Sequence, residues 1–328
     1  MTGLCDSFQR PINYLRVSVT DRCNLRCVYC MPAEGIREVS HGDILSYEEI
    51  CTIVRAASEL GINKVRLTGG EPLVRLGLPR LVTMLGQIEA IDDISLTTNG
   101  TLLSRFAAEL KESGLKRVNI SLDTLKPDRF RAITRSRVDL GDVLGGIEEA
   151  GAVGLNPVKI NVVVMAGVND DEVLDFAAKT ISEGWHVRFI EFMPTAGVGK
   201  AALHFIPVDI IKKQLGCLGE LEPCFPSVGN GPARYFRFPD SQGSVGFISP
   251  VSEHFCFHCN RLRLTADGKL RPCLLAEDEV DLKQPLRNSI SLAELKQLIE
   301  TAVADKPLRH HLAEGCVPKN RPFSQVGG

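Results

Sequence analysis

The chain has 328 residues, 44% of them hydrophobic and 24% charged, with 38 basic against 40 acidic side chains. That length suits one large α/β domain with an appendage, or two domains. The near balance of charge gives no ground for a nucleic-acid or membrane-surface protein, and no apolar run reaches the ~20 residues of a membrane span.

Residues 1–10 include Asp6 and have no apolar core, so they do not read as a secretion signal, and a cytoplasmic location is expected. Strand-like runs follow at 15–20, 64–68, 93–98, 117–123, 158–165 and 186–192. Helical patterns lie between them, at 47–60, 102–113, 143–153 and 172–182. Six strands joined by helical crossovers predict a parallel sheet that curls one way. The expected fold is therefore α/β, an incomplete (βα)6 TIM-type barrel.

The strands alternate. Arg16, Ser18 and Thr20 interleave with Leu15, Val17 and Val19; Lys64, Arg66 and Thr68 with Val65 and Leu67. Ser95 and Thr97, Asn119 and Ser121, and Lys159 and Asn161 continue the polar series. Successive strand side chains point to opposite faces. One face must be apolar and lie under the helices; the other is polar and cationic and faces the lumen. A closed barrel fills its interior with branched apolar residues, and a sheet buried on both faces reads as an apolar run. This chain does neither, so its lumen is suited to a polar ligand.

After Gly216 the texture changes. A Pro- and Gly-rich stretch (224–231) precedes short strand patterns at 233–238 and 244–248, and then a hairpin, 261–275, turning at Asp267-Gly268. A helix is expected at about 292–303. These segments form a C-terminal α+β extension, and the expected organisation is a core at 1–220 and a second domain at 221–328.

Eleven cysteines are many for a reduced compartment, and six fall into two tight groups, which favours metal over disulfides. Cys23, Cys27 and Cys30 form C-x3-C-x2-C just after the first strand. A [4Fe–4S] cluster normally takes four thiolates, so three leave one iron open for an exchangeable ligand. Zinc is the competing metal; it would want a fourth ligand or a bound water, and no histidine lies nearby until His41. Thr68-Gly69-Gly70-Glu71-Pro72 follows the second strand directly. There Gly69 and Gly70 let backbone approach a ligand, and Glu71 offers a carboxylate to a cationic group such as an amine. Cys256 and Cys259, with Cys273 further on, make a second three-thiolate group. A zinc site completed by His254 or His258 stands beside a second cluster as its reading. Arg261 and Arg263 then share one strand face, and their guanidinium forks suit phosphate oxygens.

The first triad, with Tyr29 before its last cysteine, and the Gly-Gly-Glu-Pro turn resemble the radical S-adenosylmethionine (radical SAM) superfamily. Over essentially its whole length the chain is similar to the GTP 3′,8-cyclase family of molybdenum cofactor biosynthesis. Arg16, both triads, Thr68–Pro72, Arg261-Leu262-Arg263 and the terminal Gly327-Gly328 carry that likeness. The resemblance implies a first [4Fe–4S] cluster that binds S-adenosylmethionine, with contacts from Tyr29, Gly70, Ser121 and Met193. It implies a second [4Fe–4S] cluster that binds guanine. Arg16, Arg66, Thr97, Lys159, Arg188, Arg261 and Arg263, with Leu262 between the last two, would surround GTP.

It further implies hydrogen abstraction from ribose C3′ by a 5′-deoxyadenosyl radical and closure onto guanine C8. Gly327 and Gly328 would reach into that site, although by itself the terminus reads as frayed. The implied partners are GTP, a flavodoxin- or ferredoxin-like electron donor and cyclic pyranopterin monophosphate synthase as the next enzyme, with the protein a monomer or homodimer. A peptide maturase with two clusters and a non-catalytic iron–sulfur electron carrier are the alternatives. The carrier predicts four cysteines per cluster and no cationic lumen.

Overall fold

The computed structural model describes residues 3–194, 204–225 and 229–327. The chain opens with β1 (Tyr14–Ser18), α1 (Tyr47–Glu59), β2 (Lys64–Thr68), α2 (Leu78–Gly86), β3 (Asp93–Thr98), α3 (Leu103–Glu112) and β4 (Arg117–Ser121). Next come α4 (Pro127–Thr134), α5 (Leu140–Ala152), β5 (Lys159–Ala166), α6 (Val173–Ser182), β6 (His186–Glu191), β7 (His204–Phe205) and α7 (Val208–Leu215). The remainder is β8 (Glu222–Cys224), β9 (Arg234–Arg237), β10 (Ser244–Ile248), β11 (Arg261–Leu264), β12 (Lys269–Arg271) and β13 (Val280–Asp281), then α8 (Lys283–Arg287), α9 (Leu292–Ala304) and α10 (Phe323–Val326).

The six expected strands form a parallel run, β1 to β6. The C-terminal segments do not build a sheet of their own. β11 pairs parallel with β1 and β10 pairs parallel with β6, so both edges of the six are extended by later chain. Residues of β11, β1 to β6 and β10 all line one cavity, which means that the sheet curls around it. The outer face of the strands and the helices share one apolar core that runs from Ile12 to Val303, across the boundary expected near 220.

Local signals explain the better-defined elements. Ser46 and Glu49 make a reciprocal capping box on α1, and Ser291 and Glu294 do the same on α9. Gly268 takes φ +81° in the β11–β12 hairpin, where a Cβ would also press on Lys283 at 2.6 Å. The alternation sets the two faces as expected: Leu15, Val17, Val65, Leu67, Leu96, Val118 and Ile160 are buried in the core, and their polar neighbours face inward. No helix among the described residues is long and apolar enough to cross a membrane.

Candidate functional site

The cavity carries one cysteine triad on the loop after β1 and the other beside the start of β11. The loop holding Cys23, Cys27 and Cys30 is fastened to the C-terminal end of α4: Arg26 N donates to Thr134 O and Val28 N to Ile133 O, both at 2.9 Å. Ile133, Met165 and Phe192 form a small apolar cluster against Val28 and Tyr29. The Tyr29 hydroxyl donates to Asp123 Oδ2 at 2.7 Å, and Val163 N donates to Asp123 Oδ1 at 2.8 Å.

Burial pushes the Cys23 thiol up to about 11 and the Cys30 thiol up to about 12. Burial and then the neighbouring Cys30 push Cys27 up as well. Three half-buried thiols that disfavour one another's ionisation need a cation to become thiolates together, which is how a metal-binding set behaves before it is loaded. The set fits an iron–sulfur cluster.

The glycine pair has a different immediate neighbour from the one expected. The 19–22 backbone runs beside residues 68–71, with Gly70 N donating to Thr20 O at 2.7 Å and Glu71 N to Arg22 O at 2.8 Å. A Cβ on Gly69 would sit 2.5 Å from Thr20 O, and one on Gly70 would sit 2.3 Å from Arg22 O. Both glycines border the cavity, but what they admit so closely is the chain that leads into the triad.

Glu71 is also corrected. It is fully buried, and its carboxylate accepts from Leu73 N, Thr98 Oγ1 and Asn99 N at 3.0, 2.7 and 2.6 Å. Burial pushes it up to about 7 against those donors. It ties the end of β2 to the end of β3 behind the cavity wall and does not offer itself to a ligand's amine.

At the other triad, Cys256, Cys259 and Cys273 all border the cavity. Cys259 behaves unlike the first set. Burial raises it, but Arg261 and Lys306 outweigh burial and bring it to about 6, with Arg261 Nη2 3.8 Å from the sulfur. Leu275 N donates to Cys273 Sγ at 3.4 Å. His254, Cys256 and His310 bring ligand atoms within 4.8 Å of one another. That group uses one of the three thiols, and His310 Nδ1 already accepts from Leu312 N at 3.3 Å. His258 is not in it.

Between the triads the wall is cationic. In register, Arg263, Arg16 and Arg66 stand abreast on β11, β1 and β2, followed by Ser95 on β3. Burial lowers Arg16, and Arg263 and Arg66 lower it further. Burial and Arg261 bring Arg263 down to about 9. Burial, Arg188 and Arg117 bring Lys159 down to about 7. Groups that depress one another in this way favour an anion among them. Arg188 donates to Asn119 Oδ1. Arg117 is held by both Asp93 oxygens and is less available.

Several buried polar atoms around the cavity have no partner among the described residues: the Tyr14 hydroxyl, Thr97 Oγ1, Asn161 Oδ1 and Arg188 Nε. Such atoms are costly unless a ligand or an ordered water meets them.

Arg16, Arg66, Thr97, Ser121, Arg188, Met193, Arg261 and Arg263 line the cavity as expected. Lys159 lies by the same cations, its ammonium 5.3 Å from the Tyr235 ring. Leu262 does not face the cavity: on the strand that aims Arg261 and Arg263 inward, alternation turns it fully into the apolar core. Asn161, placed on the polar face by the alternation, and Asp123, two residues on from Ser121, line the cavity too; Tyr14 was missed, although the same two-residue period that found Arg16 points to it.

The terminal segment enters the cavity. Gly327 O accepts from Arg16 Nη2 at 2.9 Å and from Arg263 Nη1 at 3.0 Å, and Phe323 borders the space. Gly328, named with it, lies outside the described residues.

A family model described as the radical SAM superfamily matches residues 17–179, and one described as Molybdenum Cofactor Synthesis C matches 185–312. A protein named GTP 3′,8-cyclase from Pelotomaculum thermopropionicum is 54% identical over 98% of this chain and 99% of its own length. One of the same name from Moorella thermoacetica is 53% identical over 98% and 99%. Among solved structures, Streptococcus suis SuiB bound to S-adenosylmethionine superposes with a TM-score of 0.66 at 14% identity, covering 93% of this chain and 67% of SuiB. That likeness concerns the fold alone.

Proposed function

The chain belongs to the GTP 3′,8-cyclase family of the radical SAM superfamily, and from that premise we propose how its cavity carries out the reaction. The protein is an enzyme that converts GTP to 3′,8-cyclo-7,8-dihydroguanosine triphosphate in molybdenum cofactor biosynthesis, using S-adenosylmethionine and iron–sulfur clusters. The observation that carries the reading is the placing of two three-thiol groups on one cation-lined cavity.

Cys23, Cys27 and Cys30 would hold the first cluster, and Cys256, Cys259 and Cys273 the second. When bound, the first cluster with S-adenosylmethionine supplies one-electron chemistry strong enough to remove a hydrogen atom from an unactivated ribose carbon. With three thiols each, the triads would leave one position of each cluster to a small molecule. Tyr29, fixed by Asp123, with Gly70, Ser121 and Met193, would orient S-adenosylmethionine. Arg16, Arg66, Arg188, Arg261 and Arg263, with Lys159 and Thr97, would hold the nucleotide, since about four phosphate charges cannot be buried without counter-charge. The Gly327 end, seated against Arg16 and Arg263, narrows the space and excludes water around the reacting carbons.

The electron donor in this reading is a reduced flavodoxin- or ferredoxin-like protein. The product passes to cyclic pyranopterin monophosphate synthase. The enzyme acts in the cytoplasm, as a monomer or homodimer, and residues from 221 onward complete the 1–220 core by supplying the second cluster. Anaerobic incubation with GTP, S-adenosylmethionine and a reductant tests the assignment: mass analysis finds 5′-deoxyadenosine and a GTP isomer in equal amounts. Turnover of S-adenosylmethionine without any GTP isomer would reject it.

A further inference from the structure

We propose that Tyr14 is a further substrate-binding residue, whose hydroxyl donates a hydrogen bond to a phosphate oxygen of the bound nucleotide; this rests on the nucleotide reading above. Tyr14 is the first residue of β1, 3% exposed, and borders the cavity. Its hydroxyl has no hydrogen-bond partner among the described residues, whereas a buried tyrosine normally finds one. The ring itself is held: the Arg66 guanidinium carbon lies 5.4 Å from its centroid.

The neighbours define the chemistry of the missing partner. In register, Arg261 flanks Tyr14 on β11 and Lys64 flanks it on β2. Residues in register on neighbouring strands share a face, so these two cations stand on the tyrosine's face of the sheet, with Arg66 against its ring. All three are donors with no acceptor to offer. The hydroxyl proton therefore has to go to an atom that cations also favour, which is an anionic oxygen. The triphosphate supplies such atoms and the guanine edge does not.

The test is Tyr14→Phe, which keeps the ring and its contact with Arg66 and removes only the oxygen. Calorimetry on anaerobic, cluster-loaded protein without reductant measures binding of GTP and of inorganic tripolyphosphate. One hydrogen bond to a charged group is worth about a tenfold change in affinity, so both dissociation constants should rise about tenfold, while far-ultraviolet circular dichroism and S-adenosylmethionine affinity stay as in wild type. A variant that binds GTP as tightly as wild type removes Tyr14 from the site and leaves the nucleotide reading standing. Weakened GTP with unchanged tripolyphosphate also overturns the assignment, since the hydroxyl would then read base or sugar. Wild-type protein that binds neither ligand overturns both readings together.

Discussion

Arg16 and Gly327 stand 311 positions apart in the chain and meet inside the cavity, the guanidinium donating to the glycine carbonyl at 2.9 Å. Arg263 shares that carbonyl, so two arginines that line the cavity also hold the end of the chain. Gly327 has φ +75°, and a Cβ there would lie 2.7 Å from Thr68 Cγ2. Gly327→Ala should therefore expel the terminal segment. A left-handed conformation costs a non-glycine residue about 1–2 kcal/mol before any clash is counted. Formation of the GTP isomer should fall at least tenfold, with the thermal midpoint nearly unchanged, as read by product analysis and calorimetry.

Metal content separates the readings of the second triad. Anaerobically prepared protein should hold about eight irons, the sum of two [4Fe–4S] units. Cys259→Ala should lower this to about four. His310→Ala should leave it near eight, because His310 belongs to the rival His254–Cys256–His310 group and not to the triad. Loss of a stoichiometric zinc in that variant, with four irons remaining, would retire the second cluster.

Lys159 should make nucleotide binding depend on pH. Burial, Arg188 and Arg117 hold its ammonium at about 7 in the free protein. A bound triphosphate favours the charged form and raises that value. Between the free and bound values binding takes up a proton, so affinity is full below about pH 7 and falls as pH rises above it. Titration calorimetry in buffers of different ionisation enthalpy should show proton uptake at pH 8. Lys159→Met should bind more weakly and lose that uptake.

Glu71 and Leu262 should prove structural. Glu71→Gln puts an amide donor among donors that now face a carboxylate, and the buried mismatch should cost about 1–3 kcal/mol in chemical unfolding. Leu262→Ala opens the core under β11 at a cost of about 2–5 kcal/mol. GTP affinity should change less than threefold in Leu262→Ala. A much larger loss there would return Leu262 to the substrate site.

What could be read from the sequence was whatever depends on spacing along a single stretch. The two cysteine triads, the six crossover-linked strands and the two-residue alternation that turned Arg16, Arg66 and Thr97 inward are all of that kind, since a strand's pleat assigns faces without reference to any neighbour. Tertiary structure decided what depends on which stretches lie side by side. β10 and β11 join opposite edges of one sheet because those edges offer unpaired backbone groups, and nothing within either strand names its partner. Tyr14 belongs to β1 because Arg261 and Lys64 pair with it from either side. Glu71 became a brace rather than an anchor because three donors, one from the turn after β2 and two from the end of β3 and the residue after it, converge on it. The terminal glycine reads as a loose end until two arginines, from the first and eleventh strands, are seen to close on its carbonyl.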